Sequence, residues 1–316
     1  MAAGPVTVAA ASLGATGMNV LLRMISQEVI AKRRSRGLPI LACNTSAPNI
    51  PGSLGDTVIV PLSSQPAAVR NLVDGNDFIA DDDVEVSATV CLDNHHYTRI
   101  QISELARTQS DPVGLMSLLS GRLNSLLNDV ENTVIDYLSA NIVASVGTFG
   151  VNPTYATFVQ ARQALANAVT PNNDIAGFVD PDTYATMLQI AQIYQASQRG
   201  LNTQPSPAMI AGEQAGAVRP YLMAAGYPYY ECTGVGSSGS SGVANLLFHK
   251  DAALFANKPI GQFTQVGHRR VSQLVDGIWI TMTEGWDNDS QSETLTFECL
   301  FGITIGRNDF GVRILA

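Results

Sequence analysis

Charge is what this sequence has little of. Only 14% of its 316 residues are Asp, Glu, Lys or Arg, against roughly 25% in an average soluble chain. Just three are lysines: Lys32, Lys250 and Lys258. A free soluble surface is ordinarily coated with Lys and Glu, whereas interface cores are depleted of them. The deficit therefore points to surface that other copies cover. It is sharpest over residues 1–18, which carry no charge, and 56–73, where Asp56 and Arg70 stand alone. Basic residues number 18 against 27 acidic ones, a net charge of −9. That balance excludes a general nucleic-acid binder with an electropositive face. Long apolar runs are absent too, so no transmembrane helix is expected. The small, apolar start MAAGPVTVAAASLGATG lacks the basic head of a secretory signal. No C-x-x-C pair occurs: Cys43, Cys91, Cys232 and Cys299 are far apart and read as free thiols of a reducing compartment. The sequons at Asn44 and Asn288 are then chance matches.

What is present is an ordinary hydrophobic content, 46%, enough to exclude disorder for most of the chain and to build one large domain or two modest ones. After a weakly patterned arm, residues 19–34 read as a helix. Leu21, Leu22, Ile25 and Val29 share a face, Lys32, Arg33 and Arg34 complement the C-terminal dipole, and Gly37 and Pro39 stop the helix. DTVIVPL at 56–62 reads as a strand that Pro61 pushes to a sheet edge. Residues 84–92 alternate, with Val84, Val86, Ala88, Val90 and Leu92 on one side and Glu85, Ser87, Thr89 and Cys91 on the other, as a half-buried antiparallel strand does. The connection between these two strands far exceeds an ordinary hairpin loop, so it needs something outside its own domain to lie on.

The strongest pattern follows. Asp111 is a good N-cap and Pro112 suits a first helical position. Leu115, Met116, Leu119, Leu123, Leu126, Leu127, Val130, Val134 and Leu138 then recur every three or four residues, one apolar stripe on a long spine helix. Leu119, Leu123, Leu126 and Val130 are its central packing positions. Beyond Gly147 and Gly150 the spacing predicts a helix over 155–169, a short strand over 177–179, and a helix from Asp180-Pro181 through Tyr184, Leu188, Ile190 and Ile193. YPYYE and VANLLFH read as strands around a flexible GVGSSGSSG loop containing Gly234, Gly236, Gly239 and Gly242. The last third is β: Ile278, Ile280 and Met282 alternate, then Leu295, Phe297, Cys299, Phe301, Ile303 and Ile305, and finally Gly311–Leu315.

No catalytic constellation emerges. Gly234, Gly236 and Gly239 fit G-x-G-x-x-G, but serines rather than a helix follow and no parallel βαβ unit frames them. Asp287, Asp289, Gln291, Glu293 and Glu298 fall at calcium-loop spacing, but Ser292 stands where glycine is needed, and the following residues alternate as a strand. Asp81, Asp82 and Asp83 read as a solvated charge run. His95 and His96, adjacent on a strand, point to opposite faces, and His249 and His268 have no ligand-spaced partner. His268, Arg269 and Arg270 form a small basic cluster that suits phosphate or acidic neighbours. No nucleophile elbow is present. No cofactor or metal is expected, and the chain is not read as an enzyme.

The order arm, short helix, long hairpin, spine helix, compact α/β unit and closing sheet resembles the major capsid protein of tailed double-stranded DNA bacteriophages, the Hong Kong 97-type fold. Five phrases in sequence carry the resemblance: GDTVIVPL at 55–62, VEVSATVCLDNHHYTRIQIS at 84–103, DPVGLMSLLSGRLNSLLNDVENTVIDYL at 111–138, VANLLFHKDAALFANKPI at 243–260 and GITIGRNDFGVRIL at 302–315. They cover nearly the whole chain and lie nearest the coat proteins of short-tailed phages. The resemblance implies an α+β fold. Residues 1–55 would be an N-terminal arm and short helix, and 56–92 an extended hairpin loop. Residues 93–147 and 256–316 would form a peripheral domain whose spine helix covers about 112–141, and 148–255 an axial domain.

The same resemblance implies a structural role. Copies would form hexamers and pentamers of an icosahedral shell around double-stranded DNA, which an acidic subunit contacts weakly. Ser63, Ser64, Gln65, Arg70, Asp74, Asp77 and Phe78 would meet neighbouring subunits, and the glycine-rich loop would adjust near the capsomer axis. Residues 56–92 hold no lysine, so the isopeptide cross-link of some relatives is not expected. The short stretch before the first helix implies a separate scaffolding protein, alongside a portal and cement proteins. The site of action would be the virion capsid, assembled in the host cytoplasm, with no membrane partner. The alternatives are an encapsulin-like compartment shell and a soluble α/β enzyme.

Overall fold

The structure, a computed structural model, describes residues 15–32, 38–45, 57–62, 87–103, 112–191, 193, 221–236, 242–261, 268–275, 277–287 and 292–316. Its helices are α1 (Ala15–Lys32), α2 (Leu38–Ala42), α3 (Pro112–Asn141), α4 (Tyr155–Asn167) and α5 (Pro181–Gln189). The strands begin with β1 (Thr57–Pro61), β2 (Ser87–Cys91), β3 (Asn94–Ser103), β4 (Ser145–Gly147), β5 (Ile175–Val179), β6 (Tyr221–Ala224) and β7 (Tyr227–Glu231). They continue with β8 (Ala244–His249), β9 (Ala253–Lys258), β10 (His268–Val275), β11 (Ile278–Asp287), β12 (Ser292–Ile305) and β13 (Gly311–Leu315).

The chain divides into two units. The first takes residues 1–33, 95–127 and 258–300. Its sheet runs in the order β10-β11-β12-β3. β10 and β11 pair antiparallel from His268 opposite Gly285 to Val275 opposite Ile278. Period-two alternation separates the two faces of this sheet. Val271, Val275, Ile278, Ile280, Met282, Leu295, Phe297 and Cys299 are buried on one. The other carries cross-strand bonds, Ser272 to Thr281 at 2.9 Å and Gln101 to Ser292 at 2.7 Å among them, beside the exposed Leu274. Helix α1 packs on β10, burying Leu22, Ile25 and Val29 as the spacing predicts, with Leu21 half-buried.

The second unit takes residues 34–94, 128–257 and 301–316. A six-stranded mixed sheet, β4-β13-β8-β5-β7-β6, is its frame. β13 lies between a parallel β4 and an antiparallel β8; β5 lies between a parallel β7 and an antiparallel β8. Phe158, Ala161 and Leu165 of α4 and Met187 of α5 join Ile175, Val179, Tyr229, Leu247, Val312 and Ile314 in one buried cluster. Gly177 is required there because the Tyr229 ring lies where a Cβ would stand. β1 and β2 form their own antiparallel pair, from Thr57 opposite Cys91 to Pro61 opposite Ser87.

Helix α3 covers the predicted span, and Leu119, Leu123, Leu126, Leu127, Val130, Val134 and Leu138 are all buried. One helix differs from expectation. α5 ends at Gln189, and Ile190 is already extended (φ −75°, ψ 111°). Its buried face is Thr183 and Met187, while Leu188 is exposed. The reason is polar: Asn245 of β8 sits beside the first turn and draws Thr183, not Tyr184, inward. In β12 the alternation holds through Phe301 but relaxes after it, with Ile303 and Ile305 half-buried.

Candidate functional site

The hairpin built on β1 and β2 is the first candidate. Val58, Val60 and Val90 are buried while Ile59, Ser87, Thr89 and Cys91 face outward, Ile59 being 61% exposed. Two glycines of the second unit hold its base. At Gly302 a Cβ would overlap the Cys91 carbonyl and come within 3.0 Å of the Val90 side chain. At Gly306 it would overlap the Asp251 carbonyl and crowd Leu62 and Leu254 at 3.2 Å. Only a strand stripped of side chains at these points lets the hairpin lie so close. From Ser63 onward the connection, with Ser63, Ser64, Gln65, Arg70, Asp74, Asp77 and Phe78, lies outside the described residues.

The glycine-rich segment divides in two. Gly234 is buried against Asn132 and Ile135 of α3, with no room for a side chain, so packing rather than freedom explains it. Gly236 (φ +100°) is exposed, and Gly242 (φ +132°) backs onto Phe149 and the Ala316 carbonyl. Gly239 lies outside the described residues.

Ionisable groups form two clusters. In the first unit Glu298 accepts at Oε1 from Thr283 (2.8 Å) and Arg270 (3.3 Å), and its Oε2 meets His95 Nε2 at 3.2 Å. Arg270 also donates to Thr283 and to the Gly261 carbonyl. The basic cluster seen in the sequence is thus tied down at Arg270 by a carboxylate. In the second unit Lys250 Nζ bonds Asp174 at 2.8 Å, which raises the lysine's affinity for its proton. His249 lies 3.7 Å from the Asp251 carboxylate, a partner two residues on that the sequence reading passed over.

None of this makes a reaction centre. Burial pushes the Cys43 thiol up to about 12 and holds the Tyr229 phenol above its usual range. The Tyr184 phenol is raised by burial and by Glu231, and that of Tyr227 by burial, against the pull of Arg162. Burial pushes His249 down, and the residue is only 1% exposed. A shallow groove of about 900 Å³ between α4 and α5 is lined by Asn152, Pro153, Thr154, Tyr155, Ala156, Val159, Gln160, Thr186, Gln189 and Ile190. Tyr155 is its only ionisable lining residue, so it offers no acid–base pair. Among the described residues no group of His, Cys, Asp and Glu could hold a metal ion, and no helix is long and apolar enough to cross a membrane.

No protein-family model matches the chain, and no curated protein matches it in sequence. Solved structures match it over most of its length. A chain of Mycobacterium phage Che8 superposes with a TM-score of 0.58 at 16% identity, over 87% of this chain and 90% of that one. The capsid of the cyanophage P-SCSP1u gives 0.55 at 12% identity, over 87% and 85%. The virus-like particle from Pyrococcus furiosus gives 0.54 at 12% identity, over 92% and 96%. At such identities likeness establishes fold. The chain has the mixed α/β fold of tailed-phage major capsid proteins.

Proposed function

We propose that the chain is the major capsid protein of a tailed bacteriophage, a structural subunit that assembles with its own kind into the hexamers and pentamers of an icosahedral shell around double-stranded DNA. The observation that carries this reading is the extent of the fold match, 87% of this chain and 85% of the cyanophage capsid chain. Two sequence features agree with it: the scarcity of charge and a long connection between β1 and β2, which no hairpin needs for its own closure. In this reading Ser63, Ser64, Gln65, Arg70, Asp74, Asp77 and Phe78 rest on neighbouring subunits, and Gly236, Gly239 and Gly242 give the GVGSSGSSG loop its adjustment. The arm at 1–55, the extended loop at 56–92, the peripheral domain at 93–147 and 256–316 and the axial domain at 148–255 are functional regions of the Hong Kong 97-type plan. A separate scaffolding protein, a portal and cement proteins are the partners of assembly, which proceeds in the host cytoplasm and ends in the virion.

The virus-like particle from Pyrococcus furiosus is similar in fold as well, so the test must look inside. The chain is expressed with and without its neighbouring genes and imaged by electron microscopy. Shells or capsomer sheets, with DNA in particles from infected cells, support the proposal. Particles filled with a cargo protein identify a cellular compartment shell, and a monodisperse monomer under all conditions overturns both.

A further inference from the structure

His249 ends β8 and caps the short 3₁₀ turn Lys250–Ala252. The Asp251 N–H donates to its Nδ1 at 3.2 Å, which places the ring proton on Nε2. That Nε2 is buried and has no hydrogen-bond partner among the described residues. The edge of the Phe310 ring meets the imidazole at 5.7 Å and 88°. Around this ring three separate stretches of the second unit are tied to one turn. Asn44 donates its side-chain amide to the Asp251 carboxylate at 2.9 Å and its backbone N–H to the Lys250 carbonyl at 3.1 Å. Gly306 and Arg307 donate to the carbonyls of Ala252 (3.0 Å) and Asp251 (2.9 Å). Lys250 reaches Asp174, just before β5.

We propose that His249 is a proton-operated clasp: its neutral ring holds the 250–252 turn against Asn44 and residues 306–310, and protonation releases them. The chemistry is a single proton taken from solvent. A protonated Nδ1 can no longer accept from the Asp251 N–H, so that part-buried donor loses its partner. The cation also needs an acceptor, and the nearest is Asp251 Oδ2 at 3.7 Å. Asp251 and Asp174 favour the cation, Lys250 opposes it, and the dominant effect is burial, which lowers the histidine's proton affinity. From the other side Arg307 stacks over Phe310 at 4.5 Å and adds a second cation, with Asp309 occupied by Arg307 at 3.1 Å.

The sign follows from linkage. An unfolded histidine takes its proton near 6.5, and the folded one does so lower. Below about pH 6.5 the unfolded or opened chain therefore binds more protons, and stability falls as pH falls until the folded ring itself protonates. The clasp belongs to the isolated fold and stands whether or not the chain assembles. The test is amide hydrogen exchange on the full chain at pH 7 and pH 5, corrected for intrinsic rates. Residues 249–254 and 306–310 are expected to lose protection about tenfold per pH unit at most, the factor for one coupled proton, while β11 and β12 keep theirs. The His249→Asn variant retains an acceptor near Nδ1 but cannot titrate, and its protection should be independent of pH there. Equal protection at both pH values in the wild type, or the same pH-dependent loss in His249→Asn, overturns the proposal. Where that variant does not fold, the wild-type comparison decides alone.

Discussion

Asn245 Nδ2 donates to Thr183 Oγ1 at 3.1 Å, while its Oδ1 accepts from the Asp180 backbone N–H at 2.8 Å. One buried side chain of β8 thus fixes the end of β5 and the first turn of α5. Asp180 then caps that turn through Thr183 N–H (3.2 Å) and Asp182 N–H (3.1 Å). Asn245→Ala leaves a buried N–H and a hydroxyl without partners. We expect it to cost about 2–6 kcal/mol, from about 1–3 for each of the two stranded groups. Asp180→Ala should cost about 1 kcal/mol, the ordinary loss of a cap. Denaturant unfolding of the two variants measures both, and an Asn245→Ala cost no larger than the Asp180→Ala cost would remove Asn245 from the role of organiser.

The four thiols differ in access. Cys91 is exposed on β2, whereas Cys43, Cys232 and Cys299 are buried. Cys43 also donates to the Pro39 carbonyl at 3.1 Å, and its thiol is held near 12 by burial. A thiol reagent at pH 8 should label one cysteine quickly in the native chain and the other three only on unfolding, since the thiolate is the nucleophile. Mass mapping should place the fast label on Cys91. Rapid labelling of Cys43 would contradict the packing of α2.

Helix α3 offers the plainest stability test. Leu123 is fully buried midway along it. Leu123→Pro removes a helix hydrogen bond, clashes with the preceding turn and empties a core position, at a cost of about 3 kcal/mol or more. The variant is expected to be recovered unfolded or aggregated, and a melting temperature equal to the wild type would exclude α3 as a packed spine.

The parts legible in the sequence are those whose pattern is local. The α3 stripe from Leu119 to Leu138, the Ile278, Ile280 and Met282 alternation and Val90 of the hairpin each follow their own period, and these are buried as expected. What was hidden depends on partners far away in the chain. β13 enters the sheet between β4 and β8, neighbours that no periodicity names. β10 passed for a basic cluster because His268, Arg269 and Arg270 begin it, yet Arg270 turns to Glu298 across the sheet. Thr183 looks like an exposed helix residue until Asn245 is placed beside it. The hairpin's seat on Gly302 and Gly306 leaves no signal at all, since glycine carries no pattern.

That seat separates folding from assembly at the extended loop. β1 and β2 pair through Thr57–Pro61 and Ser87–Cys91, and Gly302 meets β2 at Val90 and Cys91; none of these residues lies within 64–80. Deleting 64–80 therefore leaves the ladder and its seat intact, and a shorter loop changes closure entropy by less than about 1 kcal/mol. The subunit should unfold at nearly the wild-type denaturant midpoint. If the deleted residues lie across neighbouring copies, as the proposed function has it, shells should form poorly or not at all, read as particle yield by sedimentation and electron microscopy. A folded variant that builds normal shells in normal yield would show that the loop is not a contact between subunits. A variant that no longer folds would show instead that 64–80 belongs to the subunit's own core.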